Sequence, residues 1–325
     1  MISQSSIKRV RPVPGNDIKP AGLFRSQLVL FNSRKKWGML YSLATVAGLF
    51  CVPGVLGSMA EDFSFFGLVQ KATLLPLISL LVATGMYILN DLVDSDLDRA
   101  NGKKRPIPSG QVSKRQAWIF VFSTNGAAVL LSVATFNAAS MVILLPMLAI
   151  GVMYSAPRVA LMNRFLIKTI AISTFYALCA LLGITSSYGI DLFTSQPLVP
   201  MFSMLLLGIM IFVSSTLNDL GDTSGDKAAG RRTIPIVLGT PATMRLLTYM
   251  AAGIIVVSLA LYVHVGLSAV AFATGFGIIV IWRLRKLGMV LEKMDASEIR
   301  AQHKKIFPLH MLLQLLLAAG SILFI

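Results

Sequence analysis

Apolar runs of about 20 residues recur along the whole of this 325-residue chain. As helix, that length crosses a hydrocarbon layer of roughly 30 Å. Inside such a layer every backbone N–H and C=O must be paired within the protein, which leaves helices or closed barrels. The strict alternation of polar and apolar residues that barrel strands need is absent. The chain is 55% hydrophobic and only 13% charged, with mean hydropathy +0.76, a balance foreign to soluble domains. The expected fold is all-α, a polytopic bundle of about nine transmembrane helices. The spans fall at about 38–57, 70–90, 116–135, 139–156, 166–186, 200–217, 243–263, 267–282 and 306–325.

The net charge of +15 suits either nucleic acid or an anionic membrane surface. Its placement decides between them. Of 29 Lys and Arg, 28 fall in five blocks: eight before Trp37, six from Arg99 to Arg115, three from Arg158 to Lys168, four from Lys227 to Arg245, and seven from Arg283 to Lys305. With nine spans all five blocks share one membrane face. The positive-inside rule makes that face cytoplasmic, with the N-terminus inside and the C-terminus opposite. The charge is therefore a topology signal, the partner is the lipid bilayer, and no nucleic acid is expected. Trp37, Trp118 and Trp282 stand at the cytoplasmic span ends, where an interfacial aromatic belt belongs.

The first 25 residues have no apolar h-region, so no cleavable signal peptide is expected. Pro12, Pro14, Gly15 and Pro20 make residues 1–30 a flexible basic arm. Residues 31–325 form a single transmembrane domain. Cys51 and Cys179 lie inside expected spans, which argues against a disulfide framework.

Leu89-Asn90-Asp91-Leu92 returns 128 positions later as Leu217-Asn218-Asp219-Leu220. Each copy ends an apolar run and opens an aspartate cluster followed by basic residues. Seven of the chain's 14 acidic residues lie here: Asp91, Asp94, Asp96, Asp98, Asp219, Asp222 and Asp226. The repeat divides the domain into two parallel halves, about 38–165 and 166–325, related about the membrane normal. Asp94 and Asp98 are four apart, as are Asp222 and Asp226, and i and i+4 share a helix face. Asp91 and Asp219 extend those faces by three residues. Carboxylates crowded on one face repel and need a cation, and hard oxygen donors suit Mg²⁺. A solvated helix end would explain one such cluster; two matched clusters argue for a site. Asp96 is off-phase and suits solvent. Ser224-Gly225 stands where the first copy has Asp96-Leu97. This predicts that the second helix loosens at Gly225 and that Asp226 reaches inward from a loop.

The flanking cations suit phosphate, Arg through its planar fork and Lys as a point charge. Arg99, Arg105, Lys227 and Arg231 are the candidates, while the topology signal suffices for Lys103 and Lys104. Asn90 and Asn218 offer an amide to metal or phosphate, or simply satisfy a helix end. Tyr154 and Lys168 lie on the same face, and Lys168 opens a span, where it either meets a diphosphate or snorkels. His264, His303 and His310 have no ligand spacing and read as structural.

These residues resemble the UbiA superfamily of intramembrane prenyltransferases. Asn90, Asp91, Asp94 and Asp98 match its N-D-x-x-D-x-x-x-D motif, and Asp222 and Asp226 its later D-x-x-x-D. Arg105-Pro106-Ile107-Pro108-Ser109-Gly110 looks like its R-P-x-x-S-G, and Tyr154 to Lys168 like its Y-S-x-P stretch and following Lys. The resemblance covers roughly residues 30–325. It implies a nine-helix fold and two Mg²⁺ ions held by Asp91, Asp94 and Asp98 and by Asp219, Asp222 and Asp226. Of these, Asp94, Asp98, Asp222 and Asp226 are the implied catalytic carboxylates. The donor it implies is a polyprenyl diphosphate, geranylgeranyl diphosphate in first place. The acceptor is a membrane lipid or an aromatic compound. Geranylgeranylglyceryl phosphate is favoured, with quinone precursors such as 4-hydroxybenzoate and chlorophyllide-like tetrapyrroles as alternatives.

Two other classes compete. Parallel repeats with intramembrane polar residues fit a transporter, but the acids cluster at one face and not at the midplane. A CDP-alcohol phosphotransferase needs a D-G-x-x-A-R sequence that the chain lacks.

Overall fold

The computed structural model describes residues 22–51, 65–100, 104–188 and 192–323. Residues 1–21 of the expected 1–30 arm, the end of the first expected span and Lys103 lie outside them, while residues 23–30 belong to the first helix and not to a flexible arm. Among the described residues the chain is all-helical. Nine helices there have eighteen or more residues: α1 (Leu23–Leu49), α2 (Phe65–Val93), α3 (Lys114–Ala134), α4 (Ala138–Ser155), α5 (Ile167–Tyr188), α6 (Leu198–Ala228), α7 (Thr240–Ala260), α8 (Leu267–Val290) and α9 (Ala296–Leu323). The seven from α2 to α8 are long and apolar enough to cross a membrane. The exterior bears this out: Phe122, Leu130, Val142, Val256 and Met289 are exposed, a cost in water that lipid removes.

Local sequence sets several boundaries. Ser113 accepts from the Gln116 N–H while the Gln116 side chain accepts from the Ser113 N–H, a reciprocal cap that opens α3. Asn137 caps α4 through the Ala139 N–H. Pro76, Pro146 and Pro308 lie in helix interiors, as bundle neighbours permit in a membrane.

Helices without a strong hydrophobic force between them associate through small residues and buried polar contacts. α1 packs on α2, α5 and α9, and α5 packs on α6, which in turn meets α9 and α7. The α1–α5 crossing is reciprocal. A Cβ on Gly48 would lie 2.1 Å from the Ala180 carbonyl oxygen, and one on Gly183 would lie 2.2 Å from that of Thr45. Only glycine lets the two backbones touch. Thr45 and Ser79 bond across α1 and α2 at 2.6 Å, and Gln314 of α9 donates to the Tyr176 hydroxyl at 2.5 Å.

Two expectations change. α6 runs unbroken through Gly225 to Ala228, past the expected span end at 217. Asp226 is therefore carried on helix, not loop. The interruption falls in the first copy, where α2 ends at Val93 and a short helix resumes at Ser95. Helix packing on both sides outweighs the weak preference of one glycine. Trp37 does not join an outer belt. It packs against Tyr87, His303 and Phe307 inside the bundle. Trp118 and Trp282 are 41% and 53% exposed, as belt residues would be.

Candidate functional site

One cavity of about 670 Å³ opens where the two aspartate motifs meet, a size suited to a small ligand. α2 contributes Asn90 and the residue after it Asp94; α6 contributes Asn218, Asp219, Asp222 and Asp226. Arg105, Tyr154, Lys168 and Arg231 also line it. Ile172, Ile211, Met162, Trp37 and Tyr87 form an apolar and aromatic wall.

The two copies are built alike. Asn90 donates to Asp94 Oδ2 at 3.4 Å, and Asn218 donates to Asp222 Oδ2 at 3.3 Å. One helical turn brings each amide to its carboxylate. The first aspartate of each copy is buried and paired with a cation from the preceding helix of its half. Arg34 of α1 holds Asp91, and Lys168 of α5 holds Asp219. Lys168 is thus a buried ion-pair partner and does not snorkel. Arg105 adds bonds to Asp91 at 2.7 Å and to Asp98 at 2.5 Å.

Arg231 joins the halves. Its guanidinium donates to Asp94 at 2.5 Å and to Asp226 at 3.2 Å. Burial works against its charge, and its neighbours, Asp94 first and then Asp226, more than restore it, so its pKa is raised. Arg231 leaves the end of α6 through Gly230, whose φ of +69° turns the chain back. The neighbouring Arg232 N–H bonds to the Asn163 carbonyl at 3.1 Å. This pins the loop that brings Met162 to the cavity, a loop with two left-handed residues, Ala160 and Leu166. Asp222 takes its cation from α9, where Arg300 donates at 3.0 Å.

Some expected residues stand elsewhere. Asp91 and Asp98 are buried but do not line the cavity; they anchor Arg34 and Arg105, which do. Lys227 is exposed, because the residue after inward-facing Asp226 lies about 100° around the helix. Arg99 is also outside, donating to the Pro108 carbonyl at 3.0 Å and facing Asp96 at 3.8 Å. Asp96 is exposed, as its phase implied, and meets Lys114 at 3.3 Å. Arg34, Trp37, Tyr87, Ser214, Arg300, His303 and Lys304 line the cavity although the motifs did not include them. Their signal was hidden, because Arg34, Arg300 and Lys304 belong to basic blocks that topology already explains.

Among the described residues no three His, Cys, Asp or Glu side chains are gathered around one metal position. The cause is visible: each carboxylate is turned toward a cation. The donor chemistry nonetheless fits a hard divalent ion. Asp219 Oδ2 and Asp226 Oδ2 are buried without a hydrogen-bond partner, and buried carboxylate oxygens are costly to leave unmatched.

The model of the UbiA prenyltransferase family matches residues 45–307. The chain belongs to the UbiA prenyltransferase family. Its UbiA relatives include the digeranylgeranylglyceryl phosphate synthase of Methanopyrus kandleri, 29% identical over 187 residues, 58% of this chain and 65% of that protein. Chlorophyll synthase of Arabidopsis thaliana is 28% identical over 158 residues, 47% of this chain and 40% of that protein. The alignments span less than two thirds of the length of these relatives. A solved structure of a UbiA homologue from Archaeoglobus fulgidus, bound to GPP and Mg²⁺, superposes with a TM-score of 0.62. It is 16% identical and covers 90% of this chain and 99% of that one. At that identity the likeness concerns the fold.

Proposed function

We propose that this chain transfers an isoprenyl group from a polyprenyl diphosphate, geranylgeranyl diphosphate in first place, to a membrane-borne acceptor. The observation that carries the reading is the meeting of both aspartate motifs and their cations in one cavity with an apolar wall. The Archaeoglobus homologue's GPP and Mg²⁺ support the donor and the ion for the family. We assign the metal-facing role to Asp94, Asp219, Asp222 and Asp226, which line the cavity and would hold the two expected Mg²⁺ ions. Asp91 and Asp98 act from behind by fixing Arg34 and Arg105. Bound there, the metal supplies positive charge to the departing diphosphate.

The protein's own groups do the rest. Asn90 and Asn218 orient the Asp94 and Asp222 carboxylates. Arg105, Lys168 and Arg231 line the cavity, and with metal on the carboxylates they would be free to bind phosphate oxygens; Arg offers the bidentate geometry. Tyr154 supplies a hydroxyl beside Lys168. Ile172, Ile211 and Met162 exclude water from the allylic carbon, whose cationic character makes it vulnerable to hydrolysis.

The favoured acceptor is geranylgeranylglyceryl phosphate, which makes the chain a digeranylgeranylglyceryl phosphate synthase of the archaeal type; the Methanopyrus relative supports this. The likeness to chlorophyll synthase keeps a tetrapyrrole acceptor as the second reading. The close α1–α5 crossing, which joins the two halves, supports one domain, and the matched Asn90–Asp94 and Asn218–Asp222 bonds support two parallel half-repeats. We place the site on the cytoplasmic face, where the basic blocks gather.

The test uses purified full-length protein with radiolabelled geranylgeranyl diphosphate, Mg²⁺ and a panel of acceptors. Transfer to the glyceryl phosphate lipid and not to aromatic acids or chlorophyllide is expected. Absence of any Mg²⁺-dependent diphosphate release would overturn the prenyltransferase reading.

A further inference from the structure

The α9 wall of the cavity differs in kind from the aspartate side. His303 is 4% exposed and faces the cavity beside Lys304. Its Nε2 lies 2.9 Å from the Ser214 hydroxyl. Ser214 is on α6, one turn before Asn218, and also lines the cavity. The imidazole stacks on Trp37 with ring centroids 5.7 Å apart and planes 11° from parallel. Lys304 lines the same wall and has no carboxylate partner among the described residues. Diphosphate departure needs none of these groups. Acceptor capture needs a base.

We propose that Ser214 and His303 receive the proton of an alcohol acceptor, and that Lys304 binds that acceptor's anionic head. The inference rests on the prenyl-transfer reading above and names the acceptor class as a hydroxyl lipid bearing phosphate. The acceptor oxygen forms a bond to the allylic carbon. The bond from that carbon to the diphosphate oxygen breaks, and its electron pair leaves with the diphosphate. The attacking oxygen's proton passes to Ser214 Oγ, whose own proton passes to His303 Nε2. The Trp37 ring stacked on the imidazole offsets part of the cost of charging a buried histidine, since an aromatic ring within about 6 Å attracts a cation. Ordered in this way, the relay starts at a buried hydroxyl, where bulk water cannot compete with the acceptor.

The experiment measures two rates on the full-length protein with geranylgeranyl diphosphate and Mg²⁺: transfer to a glyceryl phosphate alcohol, and diphosphate release to water without acceptor. In His303→Gln and Ser214→Ala, transfer is expected to fall about 10²-fold relative to diphosphate release, the scale of a lost proton acceptor. Lys304→Ala is expected to raise the KM of the phosphate-bearing alcohol and not that of its dephosphorylated form. Lys305→Ala, on the same helix but outside the cavity, leaves both rates unchanged. If both rates fall together in His303→Gln and Ser214→Ala, or neither falls, the proposal is overturned. Failure of the underlying reading looks different: the wild-type protein then releases no diphosphate, or alkylates only aromatic acceptors.

Discussion

Arg231 Nη2 lies 2.5 Å from Asp94 Oδ1, although the two residues are 137 positions apart. The same guanidinium reaches Asp226 at 3.2 Å. One side chain from the second half thus holds the carboxylates of both motif copies. Arg231→Gln is expected to lower kcat/KM about 10²–10³-fold, the scale of losing one preorganised charge donor. Steady-state diphosphate release measures it. In a double-mutant cycle with Asp94→Asn, read as thermal stability in detergent, the two losses should not add, because the residues share one interaction. Additive losses would mean that the contact carries no coupling.

Asp94→Asn and Asp222→Asn are each expected to abolish Mg²⁺-dependent diphosphate release while the protein still inserts in the membrane. The asparagine keeps the shape and can still accept from Asn90 or Asn218, but it carries no charge to bind a hard cation. Full turnover in either variant sinks the metal assignment.

Because each cavity carboxylate already faces a cation, Mg²⁺ alone should bind weakly. Metal and diphosphate are expected to bind together, with the diphosphate accepting the cations that Mg²⁺ displaces. By linkage the coupling is reciprocal. Titration calorimetry of Mg²⁺ with and without a non-reactive diphosphate analogue checks this. Equal Mg²⁺ affinity in both conditions contradicts it. Chelation of the metal should stop turnover, and added Mg²⁺ should restore it.

Gly183→Ala places a methyl group against the Thr45 carbonyl and the Leu49 amide. The helices must then separate, at a cost of about 1–3 kcal/mol typical of overpacking. A lower thermal midpoint in detergent is expected. Activity should fall as well, since α1 carries Arg34 and Trp37 and α5 carries Lys168. Gly126→Ala, where a Cβ meets nothing within 4 Å, is the matched control and should lower neither.

Arg34→Leu leaves Asp91, 1% exposed, with Arg105 as its remaining cation. Breaking a buried pair from one side costs about 3–5 kcal/mol. The variant should be less stable than Arg34→Leu combined with Asp91→Leu, as thermal unfolding in detergent can show. A single variant as stable as the wild type removes Arg34 from the site's framework.

The all-helical membrane fold was legible because apolar span length is a local property, read directly from composition along the chain. The aspartate motifs were legible for a similar reason: spacings of three and four residues fix a helix face. Within that face Asp94, Asp222 and Asp226 do reach the cavity, and Asp96 does point away. The reading of Gly225 went astray because α6 is held straight by its neighbours, which a single-residue propensity does not register. Arg99 and Lys227 are next to motif aspartates in sequence but sit on other faces of their helices.

By itself the sequence determined that this chain is a membrane bundle with two like-built acidic clusters and basic residues beside them. Tertiary structure alone decided which cation meets which carboxylate. Arg34, Arg231 and Arg300 reach Asp91, Asp94 and Asp222 over separations of 57, 137 and 78 positions. It also turned Trp37, Ser214 and His303 into one wall of the cavity. Such pairings depend on how helices pack around glycine crossings and buried charges, and a spacing rule along one helix carries no information about the next.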